Sequence, residues 1–196
     1  MSEPRHMAPS EDSKGLPFAV ELVITLALAL GLSILARRFV VESYEIPTGS
    51  MLETIQVGDR LIGEKISYHF GSPSQGDIVT FNYVDPDSGV TETLIKRVIA
   101  VGGQTVDLVD GVVYVDGVAL DEPYTHGLPS YSLTDVEGSA GIAYPYVVPE
   151  GCVWVMGDNR TNSRDSRYFG PVDEDEVTSR AVFIFWPFSD ARWLAQ

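Results

Sequence analysis

A serine hydroxyl becomes a useful nucleophile only when a base takes its proton and donors receive the oxyanion it creates. The stretch Ile46-Pro47-Thr48-Gly49-Ser50-Met51 sets one serine in a context suited to that chemistry. Gly49 carries no Cβ, so its backbone can take unusual angles and let a substrate chain come close. Thr48 can aim a second hydroxyl at the same region. The same letters also spell an ordinary loop, so the reading depends on whether the chain supplies a base.

The lysines are few: Lys14, Lys65 and Lys96. Lys14 precedes a long apolar run. Lys65 adjoins Glu64, which would keep it charged if their side chains met. Lys96 lies in Leu94-Ile95-Lys96-Arg97-Val98-Ile99. On a strand it shares one face with Leu94 and Val98. An amine held between aliphatic neighbours loses hydration, and its pKa falls. Reaching ~8 from ~10.4 takes roughly 3.3 kcal/mol of differential desolvation, which a buried strand site can supply. The neutral amine can then remove the Ser50 proton and return it to a leaving amine. A lysine snorkelling from an edge strand is the plainer alternative. His69 and His126 compete as bases in a Ser-His-Asp arrangement, but neither has a flanking pattern that singles it out.

A third constellation is the polar run from Gly157 to Gly170, GDNRTNSRDSRYFG. Its aspartates and arginines can form an ion-pair lattice that fixes the shape of a loop. A solvated turn is the bland alternative.

The elements that must position these residues are legible in outline. Residues 1–15 are polar and read as a disordered tail. Residues 16–36, Leu16 to Ala36, are apolar with Glu21 as the one charge, long enough to cross a ~30 Å hydrocarbon core. A buried core helix and a cleaved secretory leader are the competing readings, and an uncleaved membrane helix is preferred because the run exceeds a usual leader core. Arg5 and Lys14 before the run balance Arg37 and Arg38 after it, so local charge does not orient it. Beyond it the chain predicts short antiparallel strands: Phe39 to Glu45, Arg60 to Phe70, Asp77 to Tyr83, Val90 to Val101, Val147 to Met156, and a buried strand over Ala181 to Trp186. Leu52 to Val57 suits a helical turn. Asp110-Gly111 and Asp116-Gly117 divide an alternating run and predict tight hairpins. Residues 121–146 are Pro-, Gly- and Ser-rich and read as a loop-rich insertion or small lobe. The fold class is therefore mainly β, with one N-terminal membrane helix followed by an antiparallel β domain over residues 37–196.

Composition excludes several classes. Thirteen Lys+Arg against 28 Asp+Glu give a net charge of −15, which argues against nucleic acid and against a polybasic grip on anionic lipid. The single cysteine, Cys152, rules out an internal disulfide and sits in an apolar context suited to a buried thiol. No Cys/His cluster has zinc spacing, and no metal or other cofactor is expected.

Taken in order after one membrane helix, PTGSM around Ser50, GDIVTF (Gly76 to Phe81), LIKRVIAVGG around Lys96 and GDNRTNSRDSRYFG resemble the type I signal peptidases, membrane-bound serine proteases with a Ser/Lys dyad. The resemblance spans residues 18–188, and the last block is the most specific. It implies Ser50 as nucleophile and Lys96 as general base. It implies the Ser50 N–H and the Thr48 hydroxyl as oxyanion donors, with Thr48 standing where many members have serine. It implies Ser163 as the residue that orients the lysine amine, and structural roles near the site for Arg97, Asp158, Arg160, Asp165 and Arg167. Two departures stand out: Leu52-Glu53-Thr54 where members usually carry a proline, and Val101-Gly102-Gly103-Gln104 where many have Pro-Gly-Asp. The implied activity is cleavage of signal peptides from secreted preproteins through an acyl-enzyme. The implied location is the cell membrane, with the tail cytoplasmic, the β domain outside and Trp186, Phe188 and Trp193 available to the bilayer interface, core packing being the alternative for Trp186. A Ser/Lys autoprotease of the repressor type, or a tethered β domain that only binds extended peptides, are the alternatives.

Overall fold

The computed structural model describes residues 16–86 and 88–194. The expected tail, with His6 and Lys14, lies outside the described residues. Two compact units divide between Ala36 and Arg37. The first holds most of helix α1 (Phe18–Phe39), the one helix among the described residues long and apolar enough to cross a membrane. At 22 residues it is about 33 Å long. It runs further than the apolar stretch because Arg37 and Arg38 complement the negative end of the helix dipole in its last turn.

The second unit is built on β1 (Val41–Glu45), β2 (Arg60–Glu64), β3 (Ile78–Val84) and β4 (Thr91–Val101). A small sheet follows, of β5 (Thr105–Val109), β6 (Val112–Val115), β7 (Val118–Ala119) and β8 (Tyr146–Val147). The chain then returns through β9 (Cys152–Met156), β10 (Val172–Asp173), β11 (Val177–Trp186) and β12 (Arg192–Trp193). The large sheet runs β1-β2-β11-β3-β4-β9-β10, with β12 on β11, and the small one β7-β6-β5-β8. All the strand pairs are antiparallel, so the architecture is mainly β as expected.

The hairpin turns follow from local chemistry. Asp110 and Gly111 have φ of 50° and 82°, and Asp116 and Gly117 have 51° and 78°. That pair of positive angles matches the twist of the flanking strands.

Three strand assignments change. Arg60 to Phe70 is not one strand: β2 ends at Glu64, where β1 also ends at Val41 and where β11, at Arg180, goes over to pairing with β3, and helix α2 (Ile66–Phe70) follows. Glu64 Oε2 accepts the Ser67 N–H at 3.1 Å and holds the first turn. Lys65 turns away from Glu64 to pair with Glu42 at 2.6 Å, and Glu64 pairs with Arg180. Val147 to Met156 is likewise two strands in two sheets, broken at Pro149-Glu150-Gly151, with φ of 76° at Gly151. Finally, β11 begins at Val177. Its end is not fully buried, and Trp186 is exposed.

Three apolar clusters fill the sheets. The one that matters to Ser50 gathers Met51 and Ile55, both at 0% exposure, with Ile46, Leu61, Ile78 and Ile184. Ser50 thus sits between anchors driven into the core, and burial of Met51 and Ile55 is worth about 1.5–3 kcal/mol each. The Ile55 N–H closes a helical turn on the Met51 carbonyl at 2.8 Å.

Candidate active site

Lys96 lies on β4, between β3 and the end of β9, and is 3% exposed. Its Nζ donates to Ser50 Oγ at 2.8 Å and to the Ile95 carbonyl at 2.8 Å. Burial pushes the amine down to about 8, with Asp165 and Asp158 opposing weakly. An amine of that basicity touching a hydroxyl can exchange a proton with it near neutral pH. The competing histidines are elsewhere: His69 lies in the last turn of α2 against Phe39, and His126 follows a short turn at Pro123–Thr125.

The backbone around Ser50 is held from the polar loop. Asn159 N–H donates to the Ser50 carbonyl at 3.1 Å, and Asn159 Nδ2 donates to the Gly49 carbonyl at 2.8 Å. Gly157 is needed here: a Cβ on it would run into the Ser50 carbonyl and Ser163 Oγ. The Ser50 N–H has no hydrogen-bond acceptor among the described residues, and Thr48 is exposed at the rim. Both remain available to a developing oxyanion. Ser163 Oγ is buried beside Gly157, where it helps to lower the Asp165 carboxyl, and the Lys96 amine bonds to Ser50 and the Ile95 carbonyl rather than to Ser163.

Three arginines knit the loop. Arg97 grips Asp158 with two bonds of 2.9 and 2.7 Å and also donates to the Gly76 carbonyl. Thr54 Oγ1 donates to the same carboxylate at 2.5 Å, which ties the segment after Ser50 to the loop. Arg167 binds Asp165 through Nε and Nη2 at 2.9 Å each. Burial alone would raise the Asp165 carboxyl, but Arg167 and the Gly157 N–H hold it below the usual carboxylate range. Asp165 also caps α3 (Ser166–Phe169), the one helical turn in this run. Arg160 donates through Nε to the Gly157 carbonyl at 2.9 Å and pairs with Glu122 of the 121–146 insertion. Burial opposes the charge on Arg160, yet Glu122 holds its basicity above the ordinary value.

Two cavities reach Lys96, and the second of them also includes Ser50. One, of about 330 Å³, lies between residues 44–48 and Glu92 to Lys96, with Thr80 also lining it. The other, of about 230 Å³, includes Ser50, Lys96, Leu94, Asn162 and Arg164. A larger cleft of about 680 Å³, lined by Thr54, Arg97, Tyr124 and Trp193, includes neither Ser50 nor Lys96. β1 is a terminal strand, and β9 pairs β4 only from Arg97 to Val101. Thr91 to Lys96 therefore keeps one edge free, and such edges accept an extended peptide.

The structure brings Ser50, Lys96, Thr48, Arg97, Asp158, Arg160, Ser163, Asp165 and Arg167 into one neighbourhood. Sequence reasoning passed over Asn159, Gly157, Thr54 and Glu122. The first two stood inside the most specific block, whereas Glu122 had no local signal at all. No group of three or more His, Cys, Asp or Glu among the described residues could hold a metal.

The comparisons with known proteins agree with these features. The family described as "Signal peptidase, peptidase S26" matches residues 19–186. The chain is 42% identical to "Probable signal peptidase I-1" of Synechocystis sp., over 90% of this chain and 86% of the relative. It is 38% identical to "Signal peptidase I" of Leptolyngbya laminosa, over 95% and 87%. It is 33% identical to "Signal peptidase IB" of Staphylococcus aureus, over 89% and 93%. With its blocks in order and its strands in place over nearly its whole length, this chain belongs to the signal peptidase family, peptidase S26.

Proposed function

We propose that the protein is a membrane-anchored serine endopeptidase that removes signal peptides from preproteins with a Ser50/Lys96 dyad. The observation that carries this reading is the 2.8 Å contact between Lys96 Nζ and Ser50 Oγ, with the amine buried and its pKa about 8. The signal segment lies extended between the free edge of β1 and Thr91 to Lys96, and the two modest cavities there suit small side chains. Ser50 Oγ attacks the scissile carbonyl carbon as neutral Lys96 takes its proton. The Ser50 N–H and the Thr48 hydroxyl receive the oxyanion. Lys96 then protonates the leaving amine, and the C–N bond breaks to leave an acyl-Ser50 ester. Water, deprotonated by Lys96, hydrolyses the ester. Helix α1 anchors the enzyme in the cell membrane, with the β domain outside the cytoplasm.

The test uses the full chain in detergent with a model preprotein. Ser50→Ala and Lys96→Ala each abolish cleavage on this mechanism. Cleavage that persists in either variant removes that residue from the dyad.

A further inference from the structure

The insertion at residues 121–146 reaches into the site, and Glu122 and Ser130 both meet Arg160 there. Glu122 Oε1 and Oε2 accept from Arg160 Nη2 and Nη1 at 2.5 and 2.9 Å. The Arg160 side chain is fully buried and that of Glu122 is 10% exposed. Ser130 Oγ, also in the insertion, takes a further bond from Arg160 Nη1 at 2.6 Å. A buried guanidinium held by these three bonds has one orientation. Its Nε is thereby aimed at the Gly157 carbonyl at 2.9 Å. Gly157 and Asn159 are the residues that pack on and hydrogen-bond to the Ser50 and Gly49 carbonyls. Glu122, Arg160, Gly157 to Asn159, and Ser50 thus form one unbroken mechanical series.

We infer that Glu122 is a positioning residue for the Ser50 nucleophile, so that the insertion is part of the catalytic apparatus rather than a surface elaboration. The inference rests on the peptidase reading above. Glu122 touches neither substrate nor dyad; it acts by fixing Arg160 and, through it, the turn that seats Ser50 against Lys96. Loss of the Glu122 contact frees Arg160, lets the 157–159 turn retreat and admits water to the amine. Chemistry then slows while peptide binding along the free strand edges persists.

The test compares Glu122→Gln, Glu122→Asp, Ser130→Ala and, as a control elsewhere in the insertion, Thr134→Ala, which deletes only a hydrogen bond to the Ile142 carbonyl and its link to Ser132. Cleavage of a signal-peptide substrate is measured per titrated active site, so that unfolded protein does not enter the rate. Glu122→Gln lowers kcat by about tenfold or more with KM nearly unchanged, and the alkaline-rising limb of the pH profile moves upward as Lys96 regains hydration. Glu122→Asp and Ser130→Ala do the same to smaller extents, and they decide the matter if Glu122→Gln does not fold. Thr134→Ala changes the melting temperature but neither readout. The inference is overturned if Glu122→Asp and Ser130→Ala keep the wild-type rate per site and pH limb, or if Thr134→Ala slows the reaction equally. A wild-type enzyme that leaves the substrate intact overturns the peptidase reading instead.

Discussion

Lys96 is the side chain in which the proposed catalysis and stability oppose one another. Its amine binds a proton less tightly in the folded chain than in the unfolded one, because burial lowers it from 10.5 to about 8. Below about pH 8 the folded state must hold a charge that its surroundings disfavour. Stability therefore rises with pH between about 8 and 10.5 as the folded amine alone is neutral. The penalty at pH 7 is about 3 kcal/mol. Lys96→Met is accordingly expected to raise the melting temperature at pH 7, by an amount that shrinks toward pH 10.5, while eliminating cleavage. Thermal scans across pH check this, and a variant less stable than wild type at pH 7 refutes the claim that the site is strained by its charge. In the active enzyme kcat/KM should climb with pH and reach half its plateau near 8. A profile that is flat from pH 6 to 9 contradicts the role of a neutral amine.

At the scale of an element, the two Asp-Gly hairpins and the polar loop place their glycines for different reasons. Gly117 has φ of 78° and open space around it, so Gly117→Ala costs the left-handed strain alone, about 1–2 kcal/mol. Gly111 has φ of 82°, and an added Cβ would lie 2.9 Å from Pro129 Cβ, so Gly111→Ala costs more. Urea unfolding of the two variants should rank them in that order, with little change in rate per active site for Gly117→Ala. Gly157→Ala differs in kind, because its methyl meets the Ser50 carbonyl. It should depress kcat by about a hundredfold or more. Wild-type kcat in Gly157→Ala means that the turn does not seat the nucleophile.

At the scale of the whole molecule, the charge of −15 and the exposed aromatics point to the same kind of surface contact. Trp186, Phe188 and Trp193 are 46%, 78% and 75% exposed, and Trp186 stacks edge-on against Phe188 with centroids 4.9 Å apart. Such rings favour the headgroup level of a bilayer, and an acidic protein gains nothing from anionic lipid. Brominated lipids should therefore quench the full-length protein's tryptophan emission to the same extent in neutral and anionic bilayers. Trp186→Phe with Trp193→Phe should remove that quenching, because Trp154 is fully buried. Quenching that survives the double variant would place the lipid contact elsewhere.

Some of this was legible along the chain because it depends on neighbours in sequence. The Asp-Gly pairs dictate hairpins, an apolar run dictates a helix of membrane length, and alternation around Lys96 dictates an amine with aliphatic company. The proposed pair, Ser50 and Lys96, could be picked out as candidates for the same reason, each carried by a compact block of letters. The strand reading of Arg60 to Phe70 failed because alternation persists after Glu64, while β1 stops there and β11 turns to β3. What only tertiary structure decided are contacts between distant residues: Lys96 with Ser50 across 46 positions, Asn159 with Gly49 across 110, and Glu122 with Arg160 across 38. Their partners are chosen by sheet register and by the order β2-β11-β3-β4-β9, and no local propensity encodes which strand will lie beside which.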